Sequence, residues 1–233
     1  MLRSIRLLTG AMAVLFGSVL FAQPPKDPKD PPKVPVKDPI KDKEPGKEAP
    51  KDPVKDPSAD GYFPLRPKTK WTYKVQDQLV EVAVTKTEKF GGEDCTQLDT
   101  SVNGKLIASE LYAVRPDGVY RVKVKDDKID PPVKVLALPV KKDATWEVKS
   151  KVGTQSVSGT FKIKDDKEKL KTPAGDFENV VLVEGIELDV AGTKTTVRLW
   201  FVKDKGMVKS MYKIQDAESV LELNKFETPP VLN

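Results

Sequence analysis

From Gly61 onward, apolar and polar side chains alternate with a period of two, and this restricts the fold more than any other feature of the chain. In "KWTYKV" Trp71, Tyr73 and Val75 fall on one side and Lys70, Thr72 and Lys74 on the other. "LVEVAVT" repeats the pattern with Val80, Val82 and Val84, and "TFKIK" repeats it with Phe161 and Ile163. "VYRVKVK" sets Tyr120, Val122 and Val124 against Arg121, Lys123 and Lys125, and "TTVRLWFV" and "GMVKSMYKI" follow less cleanly. Successive side chains of a strand point to opposite faces, so this pattern builds antiparallel strands with one dry and one wet face. No stretch carries a helical stripe longer than two turns. "DDKEKLK" (165–171) reads equally as a short helix or a hairpin tip.

Turn residues punctuate the same region. Asn103-Gly104 is the strongest short hairpin signal, and further turns are expected at Pro116–Gly118 and around Gly192 and Gly206. Thr172-Pro173-Ala174-Gly175 reads as a tight turn leading Phe177 into the core and on into a long strand through Val180, Leu182, Ile186 and Leu188. About ten strands are expected from the ranges 69–76, 78–88, 94–102, 105–114, 118–125, 132–138, 144–151, 154–165, 178–190, 194–203, 206–214 and 218–226. Sequential hairpins with no long crossover make an all-β antiparallel meander. So many strands with one apolar face must curl into a strongly curved sheet or partly open barrel, or else fold into a two-layer sandwich.

Residues 1–60 follow other rules. "MLRSIRLLTGAMAVLFGSVLFAQPP" has Arg3 and Arg6, then an uncharged run from Leu7 to Ala22. That is the layout of a signal peptide over 1–22, cleaved after Ala22, with Leu20 an imperfect −3 residue. The run falls short of the ~20 residues that span a bilayer core, so membrane contact is expected only if the segment stays uncleaved. Residues 23–60 hold eleven prolines, and K-D-P recurs at 26–28, 29–31, 37–39, 51–53 and 55–57. Proline removes donors and disfavours helix, and almost nothing apolar is present to bury. The sequence therefore predicts a disordered, proline-rich linker biased to polyproline II, reaching up to ~100 Å. Residues 61–233 form the β domain, long enough for a core of their own. Together these segments predict an exported protein, periplasmic or extracellular.

Charge and residue types exclude several chemistries. The net charge is +5, but 23–60 balance nine Lys against nine acids, and 61–233 hold 29 Lys and Arg against 26 acids. Lysine and acid interleave with no concentrated basic face, so no nucleic-acid partner is expected. Histidine, the commonest general base and metal ligand, is absent. The single cysteine, Cys95, forms no intramolecular disulfide and reads as a small buried hydrophobe. "DDKID" (126–130) and "KDDKEK" (164–169) lack the placed glycine of a calcium loop and read as solvated turns. No Gly-rich phosphate loop and no G-x-S-x-G elbow is present, so neither cofactor nor enzyme activity is expected. Trp71, Trp146 and Trp200 either anchor the core or line a ligand cavity. Glu184, between Leu182 and Ile186 on an apolar face, is the acid whose burial would perturb its pKa, and it joins the tryptophans as a candidate cavity residue.

"YFPLRPKTKWTYKV", "TPAGDFENVVLVEG" and "LWFVKDKGMVK" resemble the signatures of a broad group of uncharacterised exported bacterial β-rich proteins. The match covers most of 61–214, through Tyr62, Pro64, Leu65, Trp71, Tyr73, Thr172, Ala174, Gly175, Phe177, Trp200, Gly206, Val208 and Lys209. The group is similar in outline to the curved sheet of periplasmic lipoprotein carriers, which implies a hydrophobic concavity. The resemblance speaks to fold and is silent on activity. The function expected is a non-enzymatic exported domain on a stalk, with a lipid, another apolar ligand or a cell-envelope component as partner. A structural envelope protein without small ligand, and a hydrolase built on carboxylates, are the alternatives.

Overall fold

The computed structural model describes residues 61–229, so the signal-peptide and linker expectations lie outside the described residues. Twelve strands follow in order: β1 (Lys70–Val75), β2 (Gln78–Phe90), β3 (Glu93–Val102), β4 (Lys105–Arg115), β5 (Gly118–Val124), β6 (Asp127–Ala137), β7 (Thr145–Val152), β8 (Gln155–Thr172), β9 (Gly175–Val190), β10 (Thr193–Val202), β11 (Gly206–Ile214) and β12 (Ala217–Glu227). Each pairs antiparallel with the next, and β1 pairs with β12 from Lys70 opposite Glu227 to Lys74 opposite Glu222. The expected all-β meander is therefore present, and its curved sheet closes into a barrel and does not split into two layers. Residues 165–171 lie inside β8, where Glu168 pairs with Val180 and Leu170 with Phe177; cross-strand pairing holds the segment extended.

Two-residue turns dominate the connections. Asn103 and Gly104 both take left-handed backbone, φ 51° and 74°, as a hairpin turn of this length requires. The long β8–β9 hairpin overshoots β10. Its Thr172–Gly175 turn donates the Ala174 N–H to the Leu223 carbonyl of β12 at 2.9 Å, so the arm reaches across two intervening strands. Phe177 on this arm is half-buried against the core cluster.

An eight-stranded barrel is just wide enough for wall side chains to fill, and twelve strands leave more room. The wall supplies large inward residues, among them Trp71, Tyr73, Tyr112, Phe161, Phe201 and Tyr212. The segment ahead of β1 adds to them. Phe63 packs against Tyr112 with ring centroids 5.2 Å apart and against Phe201 at 6.3 Å, and Leu65 is fully buried. Gly61 anchors this plug by accepting the Asp204 N–H at 2.8 Å. Gly206 (φ 80°) seats it: a Cβ there would stand 3.1 Å from Pro64 Cδ and 3.3 Å from Trp71 Nε1. A smaller cluster of Cys95, Leu111, Ala113 and Val122 is separate from the main core.

β-Bulges shift the alternation and correct one expectation. Read straight through, "VYRVKVK" puts Tyr120 inward and Arg121 outward. Register shifts between Leu111 and Tyr112, Val119 and Tyr120, and Arg121 and Lys123 reverse this. Arg121 is buried opposite Tyr112, and Tyr120 is the half-buried residue, packed against the Cys95 cluster.

Candidate binding site at the barrel seam

The wall is weakest between β6 and β7. Their ladder consists of Ile129 opposite Val152 and Asp130 opposite Lys151, and then stops. Pro131 and Pro132 follow immediately, and proline brings no N–H to a ladder. Side chains of β7 bridge the gap instead. The Ser150 hydroxyl donates to the Pro131 carbonyl at 2.6 Å, and the Trp146 indole N–H donates to the Lys134 carbonyl at 2.9 Å. Trp146 lies parallel to Phe161, centroids 5.8 Å apart, which fixes its ring. A cleft of about 220 Å³ remains along this seam, walled by Trp146, Val148, Pro131, Pro132 and Tyr120, with Lys134, Glu147 and Lys149 at its rim. Lys134 reaches Asp117 at 2.6 Å, and this contact holds the Asp117 carboxyl below its usual range. Glu147 and Lys149 have no ion-pair partner among the described residues.

The other sequence-derived candidates lie elsewhere. Trp71 is buried beside the plug, donating to the Lys205 carbonyl at 2.6 Å, with Phe226 5.8 Å away. Trp200 donates to Glu168 Oε2 of the β8–β9 arm at 3.2 Å, and Lys209 Nζ stands 5.6 Å from its ring centroid. Glu184 is 6 % exposed and held between Arg198 at 2.6 Å and Lys164 at 3.2 Å. Burial alone would raise its pKa, but the hydrogen bonds and charges of Arg198 and Lys164 outweigh it and the pKa is lowered. The structure thus does not gather the three tryptophans and Glu184 into one site; Trp146 is the one at the seam.

A second buried polar group was missed in the sequence. Arg121, 2 % exposed, forms an ion pair with Glu110, which also accepts from the Tyr112 hydroxyl at 3.0 Å. Burial and the Glu110 charge push the Tyr112 phenol well up, so it stays a donor at ordinary pH. The signal was available in "IASELYAVR": Glu110 alternates with Ala108 and Tyr112, two residues that are buried. Both carboxylates buried among the described residues, Glu110 and Glu184, are ion-paired to an arginine.

No family model matches the sequence, and no curated protein matches it. Two solved structures are similar to it. One is a candidate lipoprotein from Parabacteroides distasonis, with TM-score 0.50 and 12% identity, covering 73% of this chain and 100% of that one. Another is a candidate exported protein with a YmcC-like fold from Bacteroides fragilis, with TM-score 0.48, 12% identity and the same coverage. At this identity the likeness to the Parabacteroides structure is one of fold.

Proposed function

We propose that the protein is an exported, non-enzymatic binding module. Residues 1–22 direct export, residues 23–60 hold the barrel off its attachment point, and the barrel engages a cell-envelope partner through the β6–β7 seam. The observation that carries this reading is the broken ladder at Pro131-Pro132, which leaves an aromatic-lined cleft in an otherwise continuous wall. The burial of Phe63 and Leu65 inside the barrel favours an external partner over a carried lipid, because a lipid taking their place would have to displace them. The description of the Parabacteroides protein as a candidate lipoprotein agrees with an envelope setting.

The test is co-sedimentation of the purified full chain with envelope fractions. The parent is expected to pellet, and Trp146→Ala and Lys149→Glu to stay in solution while melting as single folded species. Equal pelleting of parent and variants, or a parent that never pellets, refutes the reading. Recovery of a stoichiometric lipid from the purified protein overturns it in favour of apolar cargo.

A further inference from the structure

The seam has a chemical match within the chain itself, and resting on the seam as the binding face, we infer that the cleft is a polyproline II site whose resident occupant is the segment Pro24–Pro32, "PPKDPKDPP". A polyproline II helix has three residues per turn. Pro25, Pro28 and Pro31 recur with that period, so they stack along one edge. Lys26 and Lys29 line a second edge, and Asp27 and Asp30 a third. The repeat is thus amphipathic in its own geometry: one apolar ridge flanked by a row of cations and a row of anions.

The cleft presents the complement. Trp146, with the rings of Pro131 and Pro132, offers the aromatic and apolar surface on which proline ridges dock, while Tyr120 at its edge is capped by the Arg115 guanidinium, 4.2 Å from the ring centroid. Glu147 and Lys149 stand two residues apart on β7 at the rim, one anion and one cation, neither with an ion-pair partner among the described residues. They meet the lysine edge and the aspartate edge of the same helix. The direct bridges from Ser150 and Trp146 hold β6 and β7 too close for a whole strand to enter, so the occupant lies along the cleft and not within the ladder.

The connection permits it. The described chain begins at Gly61, beside Asp204 at the β10–β11 turn, about four inter-strand spacings or ~20 Å around the wall from the seam. The twenty-nine residues between Pro31 and Gly61 reach ~90 Å when extended, several times that path. Docking within one chain also profits from an effective concentration on the order of millimolar, so a weak site is filled. An envelope partner then binds by displacing the segment, and only that exchange frees residues 23–60 to extend as the spacer.

The test follows the Trp146 indole N–H resonance of the full chain by NMR. Replacing the ridge with Pro25→Ser, Pro28→Ser and Pro31→Ser is expected to shift that resonance and leave the Trp71 indole where it was. A synthetic peptide of residues 23–33 added to this variant is expected to restore the shift, saturating near the millimolar range. A scrambled peptide of the same composition is expected to fail. An unmoved Trp146 resonance, or a scrambled peptide that binds as well, overturns the assignment. The two readings separate cleanly. If Trp146→Ala abolishes envelope pelleting but the proline variant leaves the resonance unmoved, this inference alone falls. If the resonance moves but pelleting ignores Trp146, the partner reading falls.

Discussion

Replacing Arg121 by methionine removes one member of an ion pair whose side chains are only 3% and 10% exposed. Methionine fills much of the same space, so the cavity left behind is small and the main cost is electrostatic. The Glu110 carboxylate stays in the lumen with the Tyr112 hydroxyl still donating to it but without its cation. Breaking a buried pair from one side costs about 3–5 kcal/mol, because a charge is left uncompensated. For a domain of this size each kcal/mol moves the melting temperature by roughly 2–4 °C, giving a fall of ~6–20 °C. In urea, with an m-value of roughly 2–3 kcal/mol/M, the midpoint moves by ~1–2.5 M. Equilibrium unfolding followed by tryptophan fluorescence reads both quantities. The decisive comparison adds Glu110→Gln, which removes the stranded charge and keeps an acceptor for Tyr112. The double variant is expected to recover most of the loss. If Arg121→Met costs less than about 1 kcal/mol, or if the second substitution makes it worse by simple addition, the pair does not stabilise the lumen as argued.

Four further outcomes are expected. Gly206→Ala forces a side chain into left-handed backbone against Pro64 and Trp71, and should cost about 1–3 kcal/mol in the same unfolding assay. Ser150→Ala loses the bridge to Pro131 and should cost about 1 kcal/mol, whereas Ser219→Ala removes a buried hydroxyl with no partner among the described residues and should be neutral or stabilising. Glu184 has a lowered folded pKa, so its contribution is present above the ordinary carboxylate range and is lost as pH falls through the folded value; the stability gap between parent and Glu184→Gln should therefore narrow between neutral pH and about pH 3. Burial pushes the Cys95 thiol up to about 11, so the folded protein should resist a thiol reagent at pH 8 that labels it fully in denaturant.

The strands were legible because alternation over six to a dozen residues is a long-range signal that survives local noise. β11 (Gly206–Ile214) falls on its expected range, and most other strands end within a residue or two of theirs. Closure was not legible, because the pairing of Lys70 with Glu227 is a contact between the two ends of the domain that no local pattern records. The inward turn of Arg121 escaped because a bulge inserts one residue and reverses every face after it, and no residue type announces it. Prolines 131 and 132 were visible in the sequence, yet their effect required knowing that β7 would lie alongside them. The "YFPL" stretch shows the converse. Pro64 and Trp71 meet at Gly206, and Leu65 is buried in the same core, so residues scattered through the quoted motifs answer one packing problem.

Joining the first strand to the last also has a kinetic price. Trp71 donates to Lys205 and Tyr73 donates to Met207, each across 134 positions, and β1 cannot find its second neighbour until residue 227 has been made. Loops this long close slowly, and during synthesis β1 emerges first with a raw edge exposed. Three lysines or arginines close by, Arg66, Lys68 and Lys70, place charge on that waiting edge, the usual protection against sticking to a neighbouring chain.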